Sequence, residues 1–305
     1  MEARKGMSTT TISLSGVFPP ISTPFDGEGR LHLGALADNL ERWNEYDLAG
    51  YVVVGSNGEA VYLTEQEKVL VWKTARAAIP SGKLMIAGTD CESTAQTITL
   101  TREAAHAGAD AALVLTPHYF SGQMTSESLL HHYRSVADAS PIPVMVYNVP
   151  KFTNLDMDAA TIAQASQHPN IVGVKDSSGN IAKLADVVRL AVPGFQVLAG
   201  TGGFFFAGLS LGAVGGVLAL ANVAPQESID IYELYKAGEW GKAADLQRRM
   251  LPVNAAVTNR FGVPGLKAAL DMLGYYGGPV RSPLLDLGAA ERETVRDILA
   301  EAGLL

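Results

Sequence analysis

Eight short apolar runs, rich in branched side chains and bounded by Gly, Pro, Ser or Thr, recur along the 305-residue chain and limit what it can fold into. They begin at Gly16 (GVFPPIST), Gly50 (GYVVVGS), Lys83 (KLMIAGT), Asp110 (DAALVLTP), Ile142 (IPVMVYNVP), Asn170 (NIVGVKDSS), Phe195 (FQVLAGT) and Ala213 (AVGGVLAL). Their middles are apolar without alternation, as in strands covered on both faces. Helical periodicity fills the gaps: Leu36, Leu40 and Trp43 share one face of residues 33–46, and residues 64–79 open with a Thr64/Glu67 capping box. Residues 93–107, 126–139, 158–167 and 181–190 behave alike. Eight strand–helix units with right-handed crossovers predict an α/β protein of the (β/α)8 TIM-barrel type. An open doubly wound sheet would place a Gly-x-Gly-x-x-Gly loop after the first strand, and VFPPISTPF has none. The expected organisation is a disordered or extended segment over 1–15, the barrel over 16–225, and a C-terminal helical extension over 226–305. Breaks are expected in that extension near Pro252, Gly262 and residues 274–283.

Composition narrows the partners. Hydrophobic residues make up 48% and charged residues 18% of the chain, against about 25% charged in average domains, which excludes disorder and coiled coils. A net charge of -8 leaves no basic excess to neutralise a phosphate backbone, so nucleic acid is not an expected partner. One cysteine, Cys91, rules out an internal disulfide and a cysteine metal cage, and it suits a reducing compartment. The opening residues lack a secretory apolar core. The glycine-interrupted stretch 204–221 reads as a buried strand with its neighbours rather than a membrane span. The expectation is a cytoplasmic protein with no membrane contact.

Barrel active sites lie at the carboxyl ends of the strands. Those ends supply Ser22 and Thr23, residues 55–59, Thr89, residues 116–119, Tyr147 and Asn148, residues 175–178, Gly200 and Thr201, and Leu218 and Ala219. Lys175 stands out, because a lysine ending a buried strand is costly unless paired or uncharged, and an uncharged amine attacks carbonyls to form a Schiff base. The same position suits a lysine that snorkels outward, pairs with Asp176, or clamps a phosphate or carboxylate. Tyr147 is either a proton relay beside Lys175 or a rim aromatic. The turn Gly55-Ser56-Asn57-Gly58-Glu59 can aim backbone N–H groups and the Ser56 hydroxyl at a carboxylate, or it is ordinary turn chemistry. Glu59 reads equally as a helix-start carboxylate or a buried orienter. The adjacent His131 and His132 face different sides of a helix, so no metal is expected. No strand ends pair a His with a carboxylate, and Cys91 reads as a packing residue. Residues 200–203 (GTGG) resemble a barrel phosphate loop, which supports a keto-acid- or phosphate-binding barrel as the non-enzyme alternative.

These motifs together resemble the dihydrodipicolinate synthase/N-acetylneuraminate lyase superfamily of lysine Schiff-base aldolases, from about Gly16 to the end. The residues that carry the resemblance are the turn at 55–59, Tyr147-Asn148-Val149-Pro150, and Gly173-Val174-Lys175-Asp176-Ser177. Within the superfamily, SQHPNIVGVKDS (from Ser166), LGAVGGVLALANV (from Leu211) and NAAVTNRFGVPGLK (from Asn254) are most similar to 4-hydroxy-2-oxoglutarate aldolase. The resemblance implies that Lys175 forms the Schiff base with pyruvate or an α-keto acid and that Tyr147 shuttles protons. It implies that Ser56 and Asn57 hold the pyruvyl carboxylate, that Ser177 touches the rest of the substrate, and that Leu218 lines the pocket. Tyr119 would cross a dimer interface to complete the relay, in a homo-oligomer that is a dimer or a dimer of dimers (a homotetramer). No cofactor and no metal are implied. The activity implied is cleavage of 4-hydroxy-2-oxoglutarate to pyruvate and glyoxylate. The alternative is 4-hydroxy-tetrahydrodipicolinate (dihydrodipicolinate) synthase, or another pyruvate-dependent aldolase or dehydratase. One departure bears on that choice: where the synthases carry an Arg after the Tyr-Asn-Val-Pro motif, this chain has Phe152, preceded by Lys151. A phenyl ring cannot clamp a carboxylate.

Overall fold

The computed structural model describes residues 12–305. The expected tail over 1–15 therefore lies mostly outside the described residues. Of its last part, Leu14 is buried, and its N–H donates to Gln196 Oε1 at 2.7 Å.

Eight strands occupy the eight apolar runs: β1 (Gly16–Phe18), β2 (Gly50–Val53), β3 (Leu84–Gly88), β4 (Ala111–Leu115), β5 (Val144–Asn148), β6 (Ile171–Asp176), β7 (Gln196–Ala199) and β8 (Gly215–Val217). All pair in parallel in the order β1-β8-β7-β6-β5-β4-β3-β2. A parallel bridge from Pro20 to Val52 brings β1 against β2, with Ile21 N–H donating to Val52 O at 3.0 Å. The result is a (β/α)8 TIM barrel with helices beyond its last strand.

The helices are α1 (Leu33–Trp43), α2 (Glu65–Ala78), α3 (Thr94–His106), α4 (Ser126–Ala139), α5 (Pro150–Thr153), α6 (Ala159–Ala165), α7 (Ile181–Leu190) and α8 (Phe205–Ser210). Beyond the barrel come α9 (Pro225–Lys236), α10 (Trp240–Ala255), α11 (Gly262–Met272) and α12 (Ala289–Glu301). The Thr64/Glu67 capping box forms, with Glu67 N–H donating to Thr64 Oγ1 at 3.2 Å and Thr64 N–H to Glu67 Oε2 at 2.9 Å. Leu36, Leu40 and Trp43 are buried, and Trp43 Nε1–H donates to Asn222 O at 3.0 Å, which ties α1 to the segment after β8. The stretch 204–221 divides among α8, β8 and short 3₁₀ turns, and no helix among the described residues is long and apolar enough to cross a membrane.

Alternation along each strand sorts side chains between two layers. Phe18, Val52, Ile86, Leu113, Met145, Leu198 and Val217 point inward and pack with Leu14 into the barrel interior. Tyr51, Val53, Val114, Val146, Val174 and Val197 point outward into the helical layer. Pro252 does not break the extension: α10 runs through it, because Met250 and Val253 on either side are buried against the barrel and hold the turn in place. A π-helical turn over Ala256–Arg260 follows and ends at Gly262.

On α4, His132 is buried while His131 is exposed, so they share no site. Thr94 Oγ1 lies 2.9 Å from His132 Nδ1, and Nε2 has no partner. Burial lowers the His132 pKa to about 4, with Glu92 opposing. The folded state thus refuses a proton that the unfolded chain accepts below its ordinary value of 6.5. Stability is fully present above that pH and drains away down to about pH 4, by at most about 3 kcal/mol at 1.36 kcal/mol per pKa unit. Urea unfolding from pH 7 to 4 is expected to show a shallower loss for His132→Gln than for the wild type, and equal slopes would remove His132 as the cause.

Candidate active site

Strand phase decides where Lys175 points. On β6 Ile171 packs outward, so strict alternation would turn residue 175 outward too. A register irregularity between Val144 and Met145 moves the pairing from Val144↔Ile171 to Met145↔Gly173. This resets the phase, so Val174 packs outward and Lys175 inward. Glycine is required at the reset, because a Cβ at 173 would sit 2.5 Å from Gln196 O. Tyr147 is the direct register partner of Lys175 on β5. The Lys175 Nζ lies 3.8 Å from the centre of the Tyr147 ring, and both side chains are buried.

Lys175 does not pair with the acid beside it. Asp176 is turned away and its carboxylate is fully engaged: Asn148 Nδ2–H donates at 3.0 Å, Ser178 N–H at 2.9 Å, and Lys183 Nζ lies 3.3 Å away. Lys183 also pairs with Asp156. Among the described residues Lys175 has no ion pair. The outward-snorkelling and Asp176-paired alternatives are thereby excluded by geometry.

The turn after β2 is shaped by tight local constraints. Val54 adopts a left-handed φ of 62°, unusual for a branched residue and costing roughly 1–3 kcal/mol. The turn holds because Gly88 leaves room: a Cβ there would lie 2.1 Å from Val54 O. Thr23 Oγ1–H donates to Gly58 O at 2.7 Å and pins the far side. Glu59, also left-handed at φ 55°, is a buried orienter rather than a helix-start carboxylate. Its Oε1 lies 2.6 Å from Lys267 Nζ on α11, with the two side chains 1% and 2% exposed, and its Oε2 accepts the Arg281 N–H at 2.8 Å. The Arg281 guanidinium makes a fork to both Glu67 oxygens at 2.7 and 2.8 Å and holds that carboxyl below the usual carboxylate range. The C-terminal extension is thus clamped onto the turn that carries Ser56 and Asn57.

These elements enclose a cavity of about 500 Å³ at the carboxyl end of the barrel. Ser56, Asn57, Tyr147, Lys175 and Ser177 all line it. Ser56 Oγ lies 3.4 Å from the Tyr147 hydroxyl, a long contact. Gly200 makes room for the Ser177 hydroxyl, which donates to Gly200 O at 3.2 Å. Asn254, Val257, Thr258 and Asn259, from the end of α10 and the π-helical turn, form a wall that the sequence reading missed. No local pattern in those residues marks them as lining a site, because their position depends on how the extension folds back. In the glycine-rich loop, Gly203 N–H is spent on Thr201 Oγ1 at 3.3 Å, and Gly202 packs against Asn254 and Leu220. Its glycines therefore serve close packing at least as much as anion binding. Among the described residues no three His, Cys, Asp or Glu side chains converge as metal ligands. Cys91 is half-buried, and burial pushes its thiol pKa up, which makes it a poor nucleophile.

The chain matches the Dihydrodipicolinate synthetase family over residues 13–302. It belongs to that family. It is 35% identical to a 4-hydroxy-tetrahydrodipicolinate synthase of Methanothrix thermoacetophila, over 94% of this chain and 96% of the relative. It is 37% identical to a probable mitochondrial 4-hydroxy-2-oxoglutarate aldolase of Emericella nidulans, over 94% of each chain. Its fold matches a dihydrodipicolinate synthase of Acinetobacter baumannii complexed with pyruvate, with a TM-score of 0.92 and 30% identity, covering 96% of this chain and 100% of that one. As a member of the dihydrodipicolinate synthetase family the protein is an enzyme, a carbon–carbon lyase of the aldolase type.

Two expected site residues stand apart from this family cavity. Leu218 is not among its lining residues: Val217 takes the inward position on β8, so Leu218 points outward and packs in the cluster with Phe205 and Leu220, while Ala219 reaches the cavity. Tyr119 is 76% exposed and stacks edge-on with Phe120, which is also exposed. Within one chain it does not reach Tyr147's cavity.

The Glu59–Lys267 pair gives a direct test of how the extension is attached. Lys267→Met leaves a buried carboxylate without its cation and is expected to cost about 3–5 kcal/mol in urea unfolding. The double variant Glu59→Gln/Lys267→Met should recover much of that loss, and a double variant no more stable than Lys267→Met alone would refute the pairing.

Proposed function

We propose that this lyase is a class I aldolase in which Lys175 forms a Schiff base with an α-keto acid, and that its substrate is 4-hydroxy-2-oxoglutarate. The observation that carries the reading is the Lys175 amine, buried in a cavity over the Tyr147 ring with no carboxylate paired to it. In the proposed sequence the amine adds to the keto carbon, and loss of its oxygen as water leaves a protonated imine. The bond between carbons 3 and 4 then breaks, its electron pair moves toward the imine nitrogen, and an enamine forms. The hydroxyl on carbon 4 loses its proton and glyoxylate departs. Protonation of carbon 3 and hydrolysis release pyruvate and restore the amine. Tyr147 collects and returns these protons. Ser56 and Asn57 hold the keto-acid carboxylate, Ser56 steadies the Tyr147 hydroxyl, and Ser177 contacts the departing half.

The pairing of exposed Tyr119 and Phe120 supports a homo-oligomer in which one protomer's Tyr119 reaches its partner's relay, as a dimer or a dimer of dimers. The assignment to the cytoplasm rests on the single unpaired Cys91, which suits a reducing compartment. The second reading is 4-hydroxy-tetrahydrodipicolinate synthase, the name carried by several relatives. Against it, position 152 offers a phenyl ring and no guanidinium.

Borohydride with pyruvate is expected to leave a mass adduct on Lys175 and none in Lys175→Ala; no wild-type adduct would end the Schiff-base reading. Tyr147→Phe should lower turnover by about 100-fold or more while pyruvate trapping saturates at nearly the same concentration. Parallel losses in both would remove its relay role. Rates with 4-hydroxy-2-oxoglutarate against pyruvate plus aspartate semialdehyde decide between the two activities, and faster turnover of the second pair would reverse the assignment.

A further inference from the structure

The cavity holds two lysines and not one carboxylate among its lining residues, in a chain with a net charge of -8. Lys175 is consumed when it bonds to the keto carbon. The second lysine, Lys151, sits in the first turn of α5, and its Nζ donates to Thr258 O at 3.0 Å and to Asn259 Oδ1 at 3.3 Å. Both acceptors are neutral and belong to the π-helical turn over Ala256–Arg260. Single π-helical turns free carbonyl groups from the regular ladder and recur at functional sites. Here one such carbonyl fixes the lysine across the cavity mouth.

The contrast with the other lysines around the site is informative. Lys183 is neutralised by Asp156 and Asp176, and Lys267 by Glu59. Lys151 has no acidic partner among the described residues, is held by two of its three N–H bonds, and keeps its third donor and its whole charge available. Asn254 and Thr201 stand on the same wall, where Thr201 Oγ1–H donates to Asn254 Oδ1 at 3.3 Å and so directs the Asn254 amide N–H₂ away from that oxygen. Lys151 is exposed at the rim of the cavity, and an ammonium held there by neutral groups attracts an anion more strongly than one already paired.

We propose that Lys151, braced by Thr258 and Asn259, is the specificity-determining residue for a second carboxylate at the far end of the keto-acid substrate. The ligand class is an α-keto dicarboxylate, whose keto-acid end faces Lys175 and whose distal carboxylate meets Lys151. This rests on the aldolase reading for the orientation of the ligand, and it explains how a cavity with Phe152 in place of a guanidinium selects a dicarboxylate. The loss of the fork geometry is compensated by a point charge that a second element of the fold aims.

The test compares 2-oxoglutarate with 2-oxopentanoate, which has the same chain length but a methyl group for the distal carboxylate. Calorimetry reads their apparent Kd whether or not an imine forms. The full-length wild type is expected to bind 2-oxoglutarate at least about tenfold more tightly, the size of one hydrogen bond to a charged group. Lys151→Met should remove that preference and Lys151→Arg should retain most of it. Asn259→Ala, which loosens the brace while leaving the charge, should weaken it in part. A wild type without preference, or a Lys151→Met variant that keeps it, overturns the inference. Failure of the borohydride adduct with the preference intact would instead strike the Schiff-base reading and leave Lys151 as the carboxylate clamp.

Discussion

Strict alternation along β6, starting from the outward-packed Ile171, would aim Lys175 at the surrounding helices and leave the barrel without an amine. The register shift opposite Val144 and Met145 prevents this, and the bare backbone of Gly173 permits it by letting Gln196 O approach. Once the phase is reset, pairing across β5 sets Tyr147 beside the amine with no further adjustment. The cavity's chemistry thus depends on one residue of strand phase. Hydrophobic burial enforces that phase, since a slip would drive Val174 into the cavity and Lys175 into an apolar layer.

Charge placement follows the same logic. Three acids near the cavity, the buried Asp176 and Glu59 and the exposed Asp156, each meet a lysine that is not Lys175 or Lys151. Burying an ion without a partner is far more costly than burying a pair. These pairs therefore lock the surrounding loops while keeping negative charge away from the space where an anionic keto acid would sit. The positive potential is local: an acidic chain overall presents a cavity lined by ammonium, hydroxyl and amide groups. The C-terminal extension completes this arrangement twice, with Lys267 and Arg281 gripping the turn after β2 and the π-helical turn bracing Lys151.

Much of this was legible beforehand because it is local. The strand runs and the Thr64 cap are set by side chains a few residues apart, and Lys175, Tyr147, Ser56, Asn57 and Ser177 stand at strand ends that any closed parallel barrel gathers at one mouth. Leu218 was misplaced for a physical reason: AVGGVLAL is apolar on both faces, so nothing in its pattern says which of Val217 and Leu218 points inward. Pro252 looked like a stop because a lone helix cannot spare the bond, but a helix pressed on a barrel can.

The sequence alone determined the eight-fold repeat of strand and helix and the place of Lys175 and of the turn at 55–59 at strand ends, since short-range propensity and burial specify them. Only the tertiary structure decided that Lys175 faces inward, that Glu59 is an ion-pair anchor, and that residues 254–259 wall the cavity and hold Lys151. Those outcomes join residues up to about two hundred positions apart. Their energies come from desolvation and close approach, which exist only after the chain has closed on itself.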